Sequence, residues 1–310
     1  MLKNLKIALT IILQVIFVKV YSQTDTLPFV LVLGNTQDGG YPHIGCGKMC
    51  CKKAFENKAL KKNVVSLALV DPKEKKWWMF EATPDITQQL ELFKKLTDSK
   101  YNYLPSGIFV THAHIGHYAG LMYLGREALN AKEIPVFTLP RMNDFLKSNG
   151  PWSQLIFLKN IVLIPIKSDS TVKLSKNIKL SAFLVPHRDE FSETAGFNIV
   201  TSGKKYMFIP DIDKWEKWNK KIIEEVKKVD VALIDATFYE GAELPDRNIK
   251  DVPHPFVSET VELFKSEPDG VKKKIYFIHF NHTNPLLWDE EKQKELKKKG
   301  FNLAAETDKL

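Results

Sequence analysis

Three histidines lie within six residues of one another, directly after a short apolar run. His112, His114 and His117 follow the apolar residues 108–110. Neutral imidazole is the commonest zinc ligand in proteins, and clustered imidazoles repel one another when they are protonated. A single histidine is usually an ordinary core or surface residue, whereas three at this spacing indicate a metal site.

The spacing also separates the three histidines into a pair and a single residue. His112 and His114 are two residues apart, so on extended backbone their side chains project to the same side and can bind one cation. His117 lies three residues beyond His114 and is expected to point elsewhere, toward a second cation or into a supporting role.

Further apolar segments of the chain also end on a histidine or an aspartate. These residues are His187, Asp211, Asp235, and the pair His279 and His282. Each alone would usually be a capping aspartate or a core histidine. Together they predict a shared site, because separate buried polar groups would each need separate partners.

All three cysteines fall in one short segment, and their chemistry stays open. They are Cys46, Cys50 and Cys51, with His43 just before them. An odd number of cysteines argues against a simple disulfide framework in an exported protein. One interpretation is a small structural zinc site made by Cys46 with Cys50 or Cys51, helped by His43. The other is a disulfide with one spare thiol.

The elements that must position these residues are predicted from apolar runs separated by polar turns. Strands are expected at 29–34, 64–70, 76–81, 108–111, 135–139, 161–165, 178–185, 206–211, 231–235 and 275–282. Helices are expected at 83–96, 118–130, 142–147 and 290–299. This alternation is what a sheet sandwich covered by helices requires.

Residues 1–22 differ from the rest of the chain. Lys3 and Lys6 precede an apolar run at 7–18, and Ser22 stands before Gln23, which is typical of a secretory signal peptide. The competing interpretation is an uncleaved membrane anchor, but the apolar run is short for a spanning helix. We therefore expect a mature chain of 23–310, periplasmic or secreted, without a stable membrane anchor.

The composition of the chain limits the classes of function. With 310 residues, 44% hydrophobic and 26% charged, the chain can form one large domain or two small ones with a real core. Removal of residues 1–22 lowers the formal charge from +8 to +5, because three lysines and no acids are lost. This mild basicity gives no strong nucleic-acid signal and would tolerate an anionic small-molecule substrate.

Residues 111–120, Thr-His-Ala-His-Ile-Gly-His-Tyr-Ala-Gly, resemble a known signature. This segment is similar to the H-x-H-x-D-H motif of the metallo-β-lactamase superfamily, and its flanks resemble the branch related to pyrroloquinoline quinone biosynthesis protein B. The resemblance implies an α/β fold, a four-layer αββα sandwich with metals at one edge between the sheets. One position differs, since Gly116 stands where the superfamily has aspartate.

The resemblance also implies metal ligands and their number. It implies His112, His114 and His187 as ligands of a first metal, Asp211 as a bridging carboxylate, and His117 and His279 as ligands of a second metal. One or two Zn²⁺ ions are expected, with the second site weakened because Gly116 offers no carboxylate. Gly116→Asp is then expected to strengthen the second site, unless the glycine serves a positive φ angle.

The function implied is that of an exported metal-dependent hydrolase acting on an ester, phosphodiester or related bond. Asp211 would hold the attacking water and take its proton, while His279 or His282 would stabilise the oxyanion or protonate the leaving group. Two alternatives remain: a metal-binding accessory protein of a biosynthetic pathway with little turnover, and an iron-dependent oxidoreductase. The oligomeric state is left open.

Export gives a prediction that needs only the native protein. If residues 1–22 are a cleaved signal, protein recovered from its host begins near Gln23, and N-terminal sequencing or intact mass measures this directly. Material that is membrane-bound and still begins at Met1 would contradict cleavage and support the anchor.

Overall fold

The computed structural model describes residues 26–245 and 248–310, which form strands and helices in near alternation. The predicted signal peptide at 1–22 lies outside the described residues. The strands are β1 (Phe29–Gly34), β2 (Ser66–Asp71), β3 (Lys76–Phe80), β4 (Ile108–Phe109), β5 (Ile134–Thr138), β6 (Ile161–Pro165), β7 (Thr171–Lys173), β8 (Ile178–Val185), β9 (Thr194–Thr201), β10 (Lys205–Ile209), β11 (Val231–Asp235), β12 (Ile275–Ile278) and β13 (Asn302–Leu303). The α-helices are α1 (Met49–Glu56), α2 (Ile86–Leu96), α3 (Ile115–Tyr118), α4 (Pro140–Ser148), α5 (Trp152–Phe157), α6 (Ile222–Lys227), α7 (Val257–Leu263), α8 (Asp269–Lys272) and α9 (Glu290–Lys298).

Two mixed sheets are built in succession along the chain. The first has the strand order β1-β2-β3-β4-β5-β6, and the second has the order β13-β12-β11-β10-β9-β8-β7. In the first sheet β3, β4, β5 and β6 run parallel, and in the second β10, β11, β12 and β13 run parallel. Parallel strands end at the same edge of their sheet, so the loops that follow them lie side by side.

Strand β1 shows why many of the strands are unbroken apolar runs in the sequence. Its residues Phe29, Leu31 and Leu33 face the helices outside the first sheet, whereas Val30 and Val32 face the second sheet. Successive side chains of a strand point to opposite faces, and a strand that is covered on both faces must be apolar throughout.

The space between the sheets is filled by aromatic side chains. The Phe80 ring lies 5.3 Å from the Phe197 ring and 5.9 Å from the Phe208 ring, measured between centroids. Phe109 contacts Phe80 at 5.1 Å within the first sheet. Phe80 and Phe109 come from the first sheet and Phe197 and Phe208 from the second, so these rings join the two sheets.

Helices complete the outer layers. Helices α2, α4 and α5 bury their apolar faces on the first sheet, and α6, α7 and α9 on the second. The order of layers is therefore helix, sheet, sheet, helix, and the predicted four-layer α/β sandwich is confirmed. Among the described residues, no helix has both the length and the apolar character needed to cross a membrane.

The helix predicted at 118–130 is found only in part. The structure has the end of the short α3 followed by a 3-10 helix at Ala119–Leu124, and the helix stops there. A Cβ on Gly120 would lie 2.0 Å from the Thr83 carbonyl oxygen, so the chain passes very close to the loop before α2. This tertiary contact outweighs the local helical pattern.

The aromatic layer gives a stability prediction. Phe208 is fully buried, so Phe208→Ala should lower the free energy of unfolding by about 3–5 kcal/mol through lost burial and the cavity left behind. Phe157 is 83% exposed, and Phe157→Ala should change stability by less than about 0.5 kcal/mol. Denaturant unfolding of both variants measures the difference, and equal losses would contradict the assigned role of the aromatic layer.

Candidate metal centre

The loops after the strand ends of both sheets meet at one edge of the sandwich. The predicted residues that this edge brings together are His112, His114, His117, His187, Asp211, Asp235 and His279, which follow or end β4, β8, β10, β11 and β12. The side chains of His112, His117, His187 and Asp211 are at most 2% exposed. The candidate centre is therefore part of the protein interior.

A first group of donor atoms has the composition of a zinc site. It consists of His112, His114, His187 and Asp211, with one donor atom of each lying within 4.8 Å of the others. Asp211 Oδ2 lies 3.4 Å from His112 Nε2 and 4.0 Å from His114 Nδ1. Asp211 Oδ1 lies 3.3 Å from His187 Nε2. Four ligands placed about 2.1 Å from a tetrahedral zinc are about 3.4 Å apart, so these separations suit one ion.

A second group lies beside the first. It contains Asp38, His117 and His279, again with donor atoms within 4.8 Å of one another. Asp38 Oδ1 lies 3.2 Å from His117 Nε2. His117 Nε2 is also 3.6 Å from Asp211 Oδ2, so this carboxylate oxygen lies between the two groups. A carboxylate at this position could contact an ion in each group, and the bridging role of Asp211 stays a prediction.

Asp235 and His254 form a chain of polar contacts that ends on Asp211. His254 Nδ1 lies 2.9 Å from Asp235 Oδ2 and 3.2 Å from Asp211 Oδ1. Asp235 also accepts hydrogen bonds from the backbone N–H groups of Ile212 and Thr237. Asp235 therefore fixes the loop that carries Asp211.

Hydroxyl groups orient two of the imidazoles. Thr237 Oγ1 donates to Asp235 Oδ1 at 2.7 Å and lies 2.9 Å from His279 Nδ1, so it is placed to accept from that nitrogen. Thr111 Oγ1 lies 2.8 Å from His112 Nδ1 in the same way. Partners on Nδ1 leave the Nε2 atoms of both histidines as the donor atoms that face the centre.

The buried atoms at this edge fit a divalent cation. Within the described part of the chain, Asp38, His117, His187, Asp211 and His279 each carry a buried nitrogen or oxygen that lacks a hydrogen-bond partner. A buried polar atom left unpaired costs roughly 1–3 kcal/mol. A single partner that attracts both imidazole nitrogens and carboxylate oxygens is a cation, so we infer that this set of residues can hold one.

Burial and charge separate the protonation states of the ligands. Burial lowers the pKa of His187 to about 4, so this imidazole is neutral at pH 7. Burial alone would raise the pKa of Asp211, but the imidazoles of His187 and His254 hold it well below its usual range. A neutral imidazole and an ionised carboxylate are the forms that bind a metal.

Two other histidines behave in the opposite way. Burial lowers the pKa of His254, but the Asp235 and Asp211 carboxylates outweigh burial and raise it to about 10. Burial likewise opposes the charge on His117, and Glu81 and Asp38 raise its pKa well above the ordinary value. In the metal-free protein both imidazoles therefore carry a proton at pH 7.

The cysteines form a separate group with His282. Cys46, Cys51 and His282 have donor atoms within 4.8 Å of one another, and Cys50 Sγ lies 3.9 Å from Cys46 Sγ. All three cysteines are thiols, since a disulfide would bring two sulfurs to about 2.05 Å. The set has the donor types of a structural zinc site, the first of the two interpretations left open by the sequence.

The structure alters two sequence interpretations in this region. His282 was expected beside His279 as a catalytic group, but its ring lies 4.3 Å from the His43 ring, measured between centroids, and close to the cysteines. His43 was expected to help bind zinc, yet its Nδ1 lies 2.8 Å from the Ile44 carbonyl oxygen, and His282 takes the place beside the thiols.

The structure places a carboxylate beside Gly116, the position on which the prediction of a weaker second metal site was based. A Cβ on Gly116 would lie 2.1 Å from Asp38 Oδ1, so Gly116→Asp has no room in this structure, which differs from the expected tolerance of a side chain. Gly116 also does not have a positive φ angle. Asp38 places another carboxylate at this position.

Three residues of the centre were missed from the sequence. Asp38 lies in a turn after β1, where an aspartate next to glycines is typical of an ordinary loop. His254 is an isolated histidine between two prolines and does not end a strand. Glu81 follows β3 directly and lies 3.6 Å from His117 Nδ1, so the strand-end rule that found the other residues could have found it.

The chain matches known proteins over most of its length. The family model described as "Beta-lactamase superfamily domain" matches residues 76–280. A curated relative, the "Coenzyme PQQ synthesis protein B" of Methylobacillus flagellatus, is 24% identical over 302 residues, which cover 88% of this chain and 96% of the relative.

Solved structures share the fold. Zn²⁺-bound PqqB from Methylobacterium extorquens superposes with a TM-score of 0.75 at 19% identity, covering 91% of this chain and 99% of that one. A diphosphatase from the PhnP family superposes with a TM-score of 0.66, also at 19% identity, covering 92% of this chain and 96% of that one. At these identities the likeness establishes the fold.

The protonated histidines give a prediction about metal uptake. A cation bound by the second group should displace the proton of His117, and its charge should favour loss of the nearby His254 proton, so about one to two protons are released per protein at pH 7. Because both imidazoles stay protonated in this range, each bound ion releases protons to solvent, and the apparent affinity should increase from pH 6 to pH 8 as the proton concentration falls.

Calorimetric titration with Zn²⁺ in two buffers of different ionisation enthalpy measures the number of protons released. His117→Ala should release about one proton fewer than the wild type. Zinc uptake without any proton release from the wild type at pH 7 would contradict the assigned protonation states.

Proposed function

We propose that this chain, which belongs to the family of the beta-lactamase superfamily domain, is a zinc-dependent hydrolase of ester, phosphodiester or related bonds. The observation that carries the proposal is the convergence of three imidazoles and one carboxylate in the first group. Three imidazole nitrogens and a carboxylate suit Zn²⁺ better than Mg²⁺ or Ca²⁺, which prefer oxygen ligands. The zinc-bound state of the structural neighbour from Methylobacterium extorquens supports the same metal.

The residues of the first group would hold the ion, and Asp211 would do more than bind. Zinc held there would supply Lewis-acid polarisation of the scissile bond and would activate water near neutral pH. Asp211 Oδ2 lies between the two groups and is ionised, so it can accept a hydrogen bond from an attacking water and take its proton. The carboxylate is thus a candidate general base.

His279 is a candidate group for the developing negative charge. Its Nδ1 contacts Thr237, and its Nε2 is buried without a hydrogen-bond partner among the described residues. Burial lowers the pKa of His279, so the imidazole is neutral at pH 7 and its Nε2 serves as a metal ligand more readily than as an acid. We therefore assign His279 first to metal binding.

Exposure indicates the side from which a substrate enters. The side chain of His114 is 14% exposed and that of Asp38 is 26% exposed, whereas the other ligands of the two groups are closed off from solvent. Glu190, half exposed, lies 3.1 Å from His114 Nε2 at the same opening. A substrate would therefore reach the centre between the loop after β1 and the loop after β8.

The diphosphatase among the structural neighbours favours phosphorus esters as the first substrates to test. A hydrolytic centre for such substrates needs positive charge at the phosphoryl oxygens, and the metal site supplies it. The type of bond that is hydrolysed is proposed here, because similarity of fold alone does not determine the substrate.

A second candidate is an accessory role in the biosynthesis of a redox cofactor. One observation favours it: the relative named for coenzyme PQQ synthesis aligns with this chain over nearly its full length. In that case the centre would bind metal and turn over no generic ester, which separates the two candidates by experiment.

Zinc-loaded protein should hydrolyse bis(p-nitrophenyl) phosphate or p-nitrophenyl acetate, with activity lost on chelation and restored by Zn²⁺. His112→Ala removes one of three imidazoles from the first group and should lower kcat/KM by about 100-fold or more, together with zinc content. Lys298→Ala on the exposed face of α9 serves as the control and should leave both unchanged. Full zinc content without turnover of either probe would contradict the hydrolase and support the accessory role.

A further inference from the structure

Position 116 cannot carry a side chain because Asp38 fills the space beside it. A Cβ built on Gly116 would lie 2.1 Å from Asp38 Oδ1, 2.6 Å from its Cα and 2.7 Å from its Cγ. Real Cβ atoms essentially never approach another heavy atom within 3.0 Å. Asp38 Cα belongs to the backbone of its loop, so the clash cannot be relieved by a rotation of the aspartate side chain. The backbone at Asp38 therefore leaves no room for a carboxylate at position 116, and the Asp38 side chain occupies the adjacent space.

The carboxylate of Asp38 points at two imidazoles. Its Oδ1 lies 3.2 Å from His117 Nε2, and His279 offers a donor atom within 4.8 Å of both. Oδ1 is buried and lacks a hydrogen-bond partner in the described ranges, as do His117 Nε2 and His279 Nε2. In the metal-free protein the charge on His117 faces Asp38 Oδ1 across 3.2 Å, and a bound cation would replace that proton and contact all three atoms.

Backbone hydrogen bonds fix the loop that carries Asp38. Gln37 N donates to the Phe280 carbonyl oxygen at 2.9 Å, and Phe280 N donates to the Asn35 carbonyl oxygen at 2.9 Å. Gly40 N donates to the Gln37 carbonyl oxygen at 2.8 Å and closes a tight turn, in which Gly40 has φ +68°. Because Phe280 directly follows His279, the loop after β1 is tied to the end of β12. Asp38 is therefore held in position on the same edge as its two histidine partners.

We infer that Asp38 is the carboxylate ligand of a second divalent cation. His117 and His279 would complete the protein ligands of this ion, with Asp211 Oδ2 between the two sites. The carboxylate that the superfamily motif places on the helical turn α3 comes in this chain from the loop after β1. The inference rests on the proposed function only for the presence of a first ion. With Asp38 as a ligand, the second site has two nearby carboxylates, those of Asp38 and Asp211. The second ion should therefore bind firmly.

Titration with Co²⁺ tests the role of Asp38 without any measurement of activity. Cobalt is a suitable probe because cobalt bound to cysteine gives a thiolate charge-transfer band, which distinguishes any ion in the cysteine group. The wild type should bind two ions outside the cysteine group. Asp38→Asn keeps the size of the side chain and removes its charge, so it should weaken one of the two ions by about 10- to 100-fold. Asp144→Asn, at an exposed position on α4, is the matched control and should bind both ions as the wild type does.

An exchange of the two positions tests where the carboxylate can stand. Gly116→Asp alone should clash with Asp38, lower the melting temperature and fail to improve cobalt binding. Asp38→Gly alone should lose the firm binding of the second ion. In the double variant Asp38→Gly with Gly116→Asp, the new Cβ still meets the backbone Cα of residue 38 at 2.6 Å, so a carboxylate at position 116 should not restore the second ion.

Two outcomes would overturn the inference: wild-type affinity for both ions in Asp38→Asn, or a wild type that binds one ion only outside the cysteine group. Failure of the proposed function looks different. Protein that binds two ions through Asp38 and hydrolyses no probe would contradict the hydrolase and leave the ligand assignment intact.

Discussion

A buried carboxylate surrounded by imidazoles is the constraint on which this structure depends. Asp211 is 2% exposed, and its oxygens lie 3.2–3.6 Å from nitrogens of His112, His117, His187 and His254. An ion removed from water costs several kcal/mol unless partners surround it closely. The strand ends of both sheets must therefore meet at this point, because no single loop could bring partners to Asp211 from all sides.

The sandwich contains two strained backbone positions beside the imidazoles and the carboxylate of this centre. Glu81 has φ +67° and His279 has φ +68°, both are fully buried, and each follows the end of a strand. A left-handed conformation costs a residue with a side chain about 1–2 kcal/mol. The aromatic layer behind the edge, together with the covered faces of both sheets, holds these backbones in place. The strained backbone at Glu81 directs its carboxylate toward His117, and the strained backbone at His279 directs its imidazole toward the metal centre. Such strain is common at functional sites.

The sequence predicted the features that depend on local pattern. Apolar runs marked most of the strands, and their polar ends marked His112, His187 and Asp211, because a strand covered on both faces can change character only where it leaves the core. It did not mark β9, where Gly196 and Asn198 interrupt the apolar pattern, although Phe197 lies in the space between the sheets. The layered fold and the family were predicted correctly.

The features that depend on contacts between distant segments could not be read from the sequence. Asp38 and Gly116 are far apart in the chain, and only the folded structure shows that one fills the space of the other. His254 lacks a strand beside it, and its role follows from its contacts with Asp211 and Asp235. The site residues themselves stay predictions until a metal is observed on them.

Anomalous diffraction at the zinc edge from zinc-soaked crystals observes that metal most directly. A peak about 2.0–2.2 Å from His112 Nε2, His114 Nδ1, His187 Nε2 and an oxygen of Asp211 is the expected result. Zinc density at the cysteine group alone, with none at the edge where the strand ends meet, would contradict the metal centre.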